Sequence, residues 1–384
     1  MSEQPGFHAD GRSLALLMAL AVLVVLAIWL SRGPSDRPSG QDPTLPPAAT
    51  NKEPVAEPNA SSEPSQPFAL LQDLMEAKDP DRRREMLDAL RESLTRLPPG
   101  EVSDFIVGHL QSGSDAHTGQ RFQIGRDGFL RSAPTVRVWL LDHLGRFDPE
   151  AAGRVARSIL AQPTHPDEWA LAMKYQAQSD PSENGRSFLR SKLREMWARD
   201  DWALQPSVGY LEAFDVAVYL GGTDLVPDLA ALLRDQERRA TAHAAYLALD
   251  RMVLREADAV LPELVRDPGL LAGREPTRAN YLARADMRDA MQRQTLEQYL
   301  LRPDLGKEEI AAFAGLFPNA NYMVSYNLLT PVITPSGAEL AARDRAALQV
   351  VTSWQQDVRF THLKPELDAM AARLEQFVPQ SGDP

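Results

Sequence analysis

Thr223–Pro268 reads TDLVPDLAALLRDQERRATAHAAYLALDRMVLREADAVLPELVRDP, and its apolar side chains recur with the period of helices. Leu225, Leu229, Leu232 and Leu233 fall at i, i+4, i+7 and i+8, one face of a helix. Pro227 lies in the first turn, where a missing N–H costs no intrahelical bond, and Arg234-Asp235 closes the segment. After a short turn, Arg239, Ala242, Ala245, Leu249, Met252 and Val253 form a second face whose small side chains let two helices approach closely. Leu261-Pro262-Glu263-Leu264 then echoes Val226-Pro227-Asp228-Leu229 at a spacing of 35.

Working outward, the same grammar continues on both sides. Phe68, Leu71, Leu74 and Met75 make a stripe, and Asp79-Pro80 supplies an N-cap and an N1 proline before Leu87, Leu90, Leu94 and Leu97. Pro134, Val136, Leu140 and Leu144, then Asp148-Pro149 with Val155, Ile159 and Leu160, predict a further helix pair. Ser336 and Glu339 have capping-box spacing ahead of Leu340, Leu348 and Val351. Alternating β-branched runs with hairpin turns are nearly absent. The expectation is an all-α domain over 68–378 of a dozen or so short helices, arranged as an irregular α-solenoid or an array of antiparallel helix pairs. Thr223–Pro268 resembles a HEAT-type repeat, and Pro227, Asp235, Arg239, Ala242 and Ala245 carry the likeness. That resemblance implies a concave or edge surface for a protein or peptide partner, with no catalytic residues to carry over.

The N-terminal part follows other rules. After a short tail, 1–13, residues 14–30 read LALLMALAVLVVLAIWL without one charged side chain. As a helix the run spans roughly 26 Å, close to the hydrocarbon thickness of about 30 Å. It is longer than a signal-peptide core and is followed by no small-residue cleavage site, so the expectation is a transmembrane signal anchor, with the lipid bilayer held through Leu14 to Leu30. Residues 31–67 form a linker with nine of the chain's 30 prolines from Gly33 to Pro67, a composition that cannot bury enough surface to fold. Arg12 before the run stands against Arg32, Arg37 and Lys52 after it. The very short N-terminal tail and the spacer point instead to a single-pass cell-membrane protein with its soluble domain extracytoplasmic. A short tail, 379–384, is expected to be disordered.

The formal net charge is -12, and Met1 to Arg32 contributes none of it, so the acidic excess lies beyond the apolar run. Such a surface repels phosphate backbones, and no nucleic-acid partner is expected. With no cysteine there is no disulfide, thiolate nucleophile or cysteine-held metal. The seven histidines are scattered, and no H-E-x-x-H, G-x-S-x-G, G-x-G-x-x-G or P-loop pattern occurs, so neither metal nor cofactor is expected. Glu168 and Asp215 stand on apolar helical stretches, where a satisfied charge is commoner than a catalytic one.

Two stretches break the helical pattern. Gln111–Pro134 contains four glycines, His117, Arg121, Arg126 and Arg131, with Phe122, Ile124, Phe129 and Leu130 as apolar anchors. Arg121 to Ile124 alternates and Gly125 to Gly128 supplies a turn, so a short hairpin is predicted. Its arginines, with His117, have the chemistry to clamp an anion bidentately, or else pair with the acidic surface. Pro318–Gly337 mixes Tyr322 and Tyr326 with Asn319, Asn321 and Asn327, a composition suited to peptide or sugar contacts. The plainer expectation is a crossover that packs Met323, Leu328 and Val332 on the last helices. The ligand-binding candidates are therefore His117, Arg121, Arg126, Arg131, Tyr322 and Tyr326. These readings predict a non-catalytic, membrane-tethered scaffold that binds a protein or peptide in the envelope. The alternative is an envelope enzyme acting on a glycan or other polymer through two carboxyls roughly 5 to 9.5 Å apart.

Overall fold

The computed structural model describes residues 66–323 and 325–377. The tail at 1–13, the anchor at 14–30, the linker up to residue 65 and the C-terminal tail at 379–384 lie outside the described residues. Among the described residues, no helix is long and apolar enough to cross a membrane.

The elements in order are α1 (Gln66–Glu76), α2 (Pro80–Thr95), α3 (Pro99–Ser112), β1 (Gln123–Ile124), β2 (Leu130–Ser132), α4 (Val136–Phe147), α5 (Pro149–Ile159), α6 (Pro166–Ser179), α7 (Glu183–Trp197), α8 (Asp200–Ala203), α9 (Val208–Glu212), α10 (Phe214–Leu220), α11 (Val226–Arg234), α12 (Arg239–Arg255), α13 (Ala257–Arg266), α14 (Glu275–Leu282), α15 (Ala290–Leu300), α16 (Lys307–Leu316), α17 (Gly337–Gln356) and α18 (Lys364–Leu374). The fold is all-helical apart from the two short strands. The helices are more numerous than a dozen because some segments are broken into pieces, as at α8, α9 and α10.

Local chemistry sets the boundaries. Asp79 accepts from the Asp81 N–H with Pro80 behind it, Asp148 from Ala151 with Pro149 behind it, and Ser336 from Glu339, as their sequence patterns require. Caps of this kind are each worth about 1 kcal/mol. Gly145 on α4 is a close-approach position: an added Cβ would lie 2.0 Å from the Tyr175 ring on α6. Pro262 departs from the echo read in the sequence. Pro227 lies in the first turn of α11, whereas α13 starts at Ala257 and holds Pro262 in its interior.

Consecutive helices pack as pairs, α1 on α2, α5 on α6, α11 on α12 and α17 on α18. Helices also pack on the next but one, α4 on α6, α10 on α12, α13 on α15 and α14 on α16. One continuous core of Leu, Ala and aromatic side chains, including Trp169, Tyr210, Tyr281 and Trp354, runs through these contacts. Several polar bonds between helix pairs share one interval, beside others at 31, 35, 36 and 38 residues. Gly222 N–H donates to Glu256, the Arg194 guanidinium to Asp228, the Asn280 amide to Tyr246, Arg284 to Asp250 and the Gln292 amide to Asp258, every one of them 34 residues apart.

Three links between helices are buried ion pairs, one at that interval and two at 31 residues. Arg278 meets Glu309 through two bonds of 2.7 Å, and Arg284 meets Asp250 through two of 2.9 Å. Arg137 meets Glu168 through its Nε at 2.8 Å, and Glu168 also accepts from Thr164 at 2.7 Å. Glu168 and Asp215, the second of which meets Arg251 at 2.5 Å, are thus satisfied charges. An intact buried pair adds little net stability, but removing one partner strands a charge in the core. Glu309→Ala should therefore lower the stability of the full chain in detergent by about 3–5 kcal/mol. The double replacement R278M/E309L should cost less than either single change. Urea titration followed by circular dichroism checks both, and an unchanged Glu309→Ala midpoint would overturn this account of the pair.

Candidate functional site

The two irregular stretches are where the array departs from helix packing, and both are pinned by buried carboxylates. In the first, β1 and β2 form the predicted hairpin, pairing Gln123 with Ser132 and Ile124 with Leu130. Its turn is closed by Gly125 N–H donating to the Phe129 carbonyl at 2.7 Å. Gly128 holds φ at +78°, a region where side chains other than glycine are strained. Phe122, Ile124 and Leu130 are buried, so alternation turns Arg121 and Arg131 outward.

Three groups fasten the hairpin. Leu130 N–H donates to Asp142 Oδ2 at 3.0 Å, Lys174 Nζ donates to the Gly128 carbonyl at 2.7 Å, and Arg146 donates to the Leu130 carbonyl at 2.9 Å. Phe129 lies between two cations, with Lys174 Nζ at 4.2 Å and the Arg146 guanidinium at 4.5 Å from its ring centroid. Tyr175 donates to Asp142 Oδ1 at 3.0 Å. Lys174 is 1% exposed, and burial pulls its pKa down to about 8 against the opposing pull of Asp142. Burial likewise raises Asp142 against Lys174 and Arg146.

The second stretch is pinned by Asp215. Its Oδ2 accepts from Leu329 N–H at 2.7 Å and Thr330 N–H at 3.0 Å, and its Oδ1 accepts from the Thr330 hydroxyl at 2.5 Å. Leu328 is buried, and its backbone carbonyl lies where a Cβ on Gly128 would meet it at 3.0 Å. Met323 is 55% exposed and Val332 only half-buried. The crossover is held on α10 through Asp215 and beside the hairpin at Gly128 and Arg126, while Tyr322 also meets Arg343 of α17. Buried backbone N–H groups need acceptors, and Asp215 supplies them.

The consequence is a meeting of segments 200 residues apart. Arg126 Nε donates to the Tyr326 hydroxyl at 2.8 Å, and the Arg131 guanidinium lies 5.7 Å from the Tyr326 ring centroid. Beside this junction opens a cleft of about 620 Å³ lined by Arg91, Arg126, Arg131 and Arg146, by Trp139, His143 and Phe129, and by Asp127 and Asp142. His143 stacks on Trp139 with centroids 5.2 Å apart and planes within 8°, and Arg91 lies 5.8 Å over Trp139 from α2. Burial, then Arg91 and Arg146, lowers His143 to a pKa of about 4, so the imidazole is neutral at pH 7. Four guanidiniums against two carboxylates leave the cleft positive on an acidic chain.

Of the six candidates, Arg126, Arg131 and Tyr326 come together here. Tyr322 stands apart, accepting from Arg343 with Arg284 5.5 Å from its ring, in a second depression of about 320 Å³. His117 and Arg121 line neither. His117 is exposed, its backbone bridged to Thr135, and Arg121 is exposed with its carbonyl accepting from Ser132. Among the described residues, Arg121, Arg126 and Arg131 have no carboxylate within ion-pair distance, so the expected pairing with the acidic surface is not found. Arg91, Trp139, His143 and Arg146 escaped the sequence reading. The signal for Trp139 and His143 was the i, i+4, i+8 run that they make with Phe147 on α4.

The carboxylates in the cleft do not make a free acid and base. Asp127 and Asp142 both reach Arg146, at 3.7 and 3.2 Å, and both oxygens of Asp142 accept from fixed donors. Among the described residues, no group of three or more His, Asp or Glu side chains is placed to hold a metal ion. No protein-family model matches the chain, and no curated protein or solved structure matches it either.

Next to Asp215, Glu212 is pushed up to about 7 by burial and by the neighbouring carboxylate. Its folded pKa lies above its unfolded value, so the stability it contributes is present below about pH 4.5 and is lost as pH rises towards 7. Glu212→Gln should therefore leave the unfolding midpoint unchanged at pH 4. It should raise stability at pH 8 by on the order of 2 kcal/mol, allowing for solvent screening. Thermal unfolding across that range reads the difference.

Proposed function

We propose that this protein is a membrane-tethered helical-repeat scaffold that binds another envelope protein or peptide and performs no reaction of its own. The recurrence of inter-pair bonds at 34 residues, beside the sequence echo at 35, supports an irregular HEAT-like solenoid of antiparallel helix pairs. In such arrays each unit contacts only its neighbours, and the long faces left open are used for binding. The apolar run at 14–30 and the proline-rich linker support a single-pass anchor with the helical domain extracytoplasmic, where a tether keeps a modest contact at high local concentration.

The observation that carries this reading is the open arginine- and aromatic-lined cleft between α2, α4 and the hairpin, with the hairpin fastened by buried Asp142 and its arginines met at the rim by Tyr326 of the second insert. Rigid walls reduce the ordering cost of binding. Arginine and large aromatic side chains are also the residue types that dominate interface energetics.

The test is crosslinking in intact cells with anchor and linker retained, followed by affinity recovery and mass spectrometry. A stoichiometric protein partner from an envelope compartment is the expected outcome. Recovery of nothing above background, in cells where the protein is abundant, would overturn the scaffold reading.

A further inference from the structure

We propose that the cleft between α2, α4 and the hairpin is a recognition site for an acidic peptide segment, one that carries spaced carboxylates and an apolar or aromatic side chain between them. The inference deepens the scaffold reading and rests on it for the partner's being a protein.

The cations are placed in advance. Arg126 and Arg131 are exposed at the rim, lack carboxylate partners among the described residues, and are oriented by the ring and hydroxyl of Tyr326. Arg146 is tied to the Leu130 carbonyl and to Asp142, and Arg91, which also meets Asp88 at 3.1 Å, stands over Trp139. Guanidinium groups take carboxylates through paired N–H donors, and a pre-oriented fork loses less freedom on binding than a mobile ammonium. Along the sequence these four arginines lie among 53 acidic residues, so their convergence is local and runs against the chain's overall charge.

The remaining lining selects among anions. Trp139, stacked on a neutral His143, and Phe129 form an apolar floor that an inorganic anion would leave wet but a peptide side chain would cover. Asp127 and Asp142 face the same space, and both reach Arg146. A compact dianionic phosphate would hold its charge close to these carboxylates. Single charges spread along a peptide reach Arg91, Arg126 and Arg131 while keeping clear of them. The volume, about 620 Å³, falls inside the usual range of about 300–1,000 Å³ for sites that enclose a small ligand. That volume suits a short segment.

The experiment uses the full chain in an uncharged detergent and reads fluorescence anisotropy of a labelled octapeptide of alternating Glu and Phe or Leu. The same peptide with Gln for Glu, pyrophosphate, and phosphatidylglycerol vesicles serve as comparison probes. The acidic peptide should bind at least tenfold more tightly than its Gln counterpart and weaken between 50 and 300 mM salt. R126E/R131E should weaken it at least tenfold, while the same charge change at Arg345, on α17, should leave it unaltered. Arg131→Glu alone, at a side chain that makes no hydrogen bond among the described residues, gives the same direction if the double variant folds poorly. Equal binding of the Glu and Gln peptides, wild-type affinity in Arg131→Glu, or binding of pyrophosphate or the vesicles in preference to the peptide would each overturn the proposal. Introducing R126E/R131E into the cell crosslinking separates the two claims. Loss of the partner supports the cleft as its site, whereas a partner still captured leaves the scaffold standing and removes the cleft from it.

Discussion

A carboxylate buried among packed helices must be met by donors, because its desolvation is repaid only by close, well-oriented partners. In this protein the donors come from the next helix pair or from an irregular segment laid against it. Glu168 takes Arg137, Asp250 takes Arg284 and Glu309 takes Arg278, which ties neighbouring pairs in register. Asp142 and Asp215 meet Arg146 and Arg251 and also take backbone N–H groups from the two long inserts. The same requirement that sets the spacing of the array therefore also places its loops.

That placement produces the cleft. Neither insert has enough regular structure to hold its own shape, and each is stable only as far as its unpaired backbone groups are satisfied by the helices beneath it. Asp142, with Tyr175 and Lys174 behind it, fastens the hairpin so that its arginines project over α4. Asp215 fastens the other insert so that Tyr326 meets those arginines from the far side. A change at either buried acid would be felt at the rim, though neither acid need touch a ligand.

Charge works on two scales. Over the whole chain the acidic excess favours solubility and repels polyanions. Within the cleft, four guanidiniums outnumber two carboxylates, and burial, with Arg91 and Arg146 nearby, holds His143 at a low pKa. A mean charge taken from composition says nothing about such a spot, since screening confines each side chain's influence to about 8 Å at physiological salt.

The sequence by itself determined the helical class, the punctuation and much of the core. The caps at Asp79, Asp148 and Ser336, the stripe of α11 and the small-residue face of α12 are local features, readable because helix geometry couples residues only three or four apart. The hairpin was legible for the same reason, its turn resting on Gly125 and Gly128. Tertiary structure decided which candidates share a site. Arg126 meets Tyr326 across 200 residues, His117 and Arg121 are left outside, and the Leu328 backbone lies against Gly128 of the hairpin. Those outcomes depend on which buried carboxylate claims which loop N–H, a long-range pairing that no local period encodes.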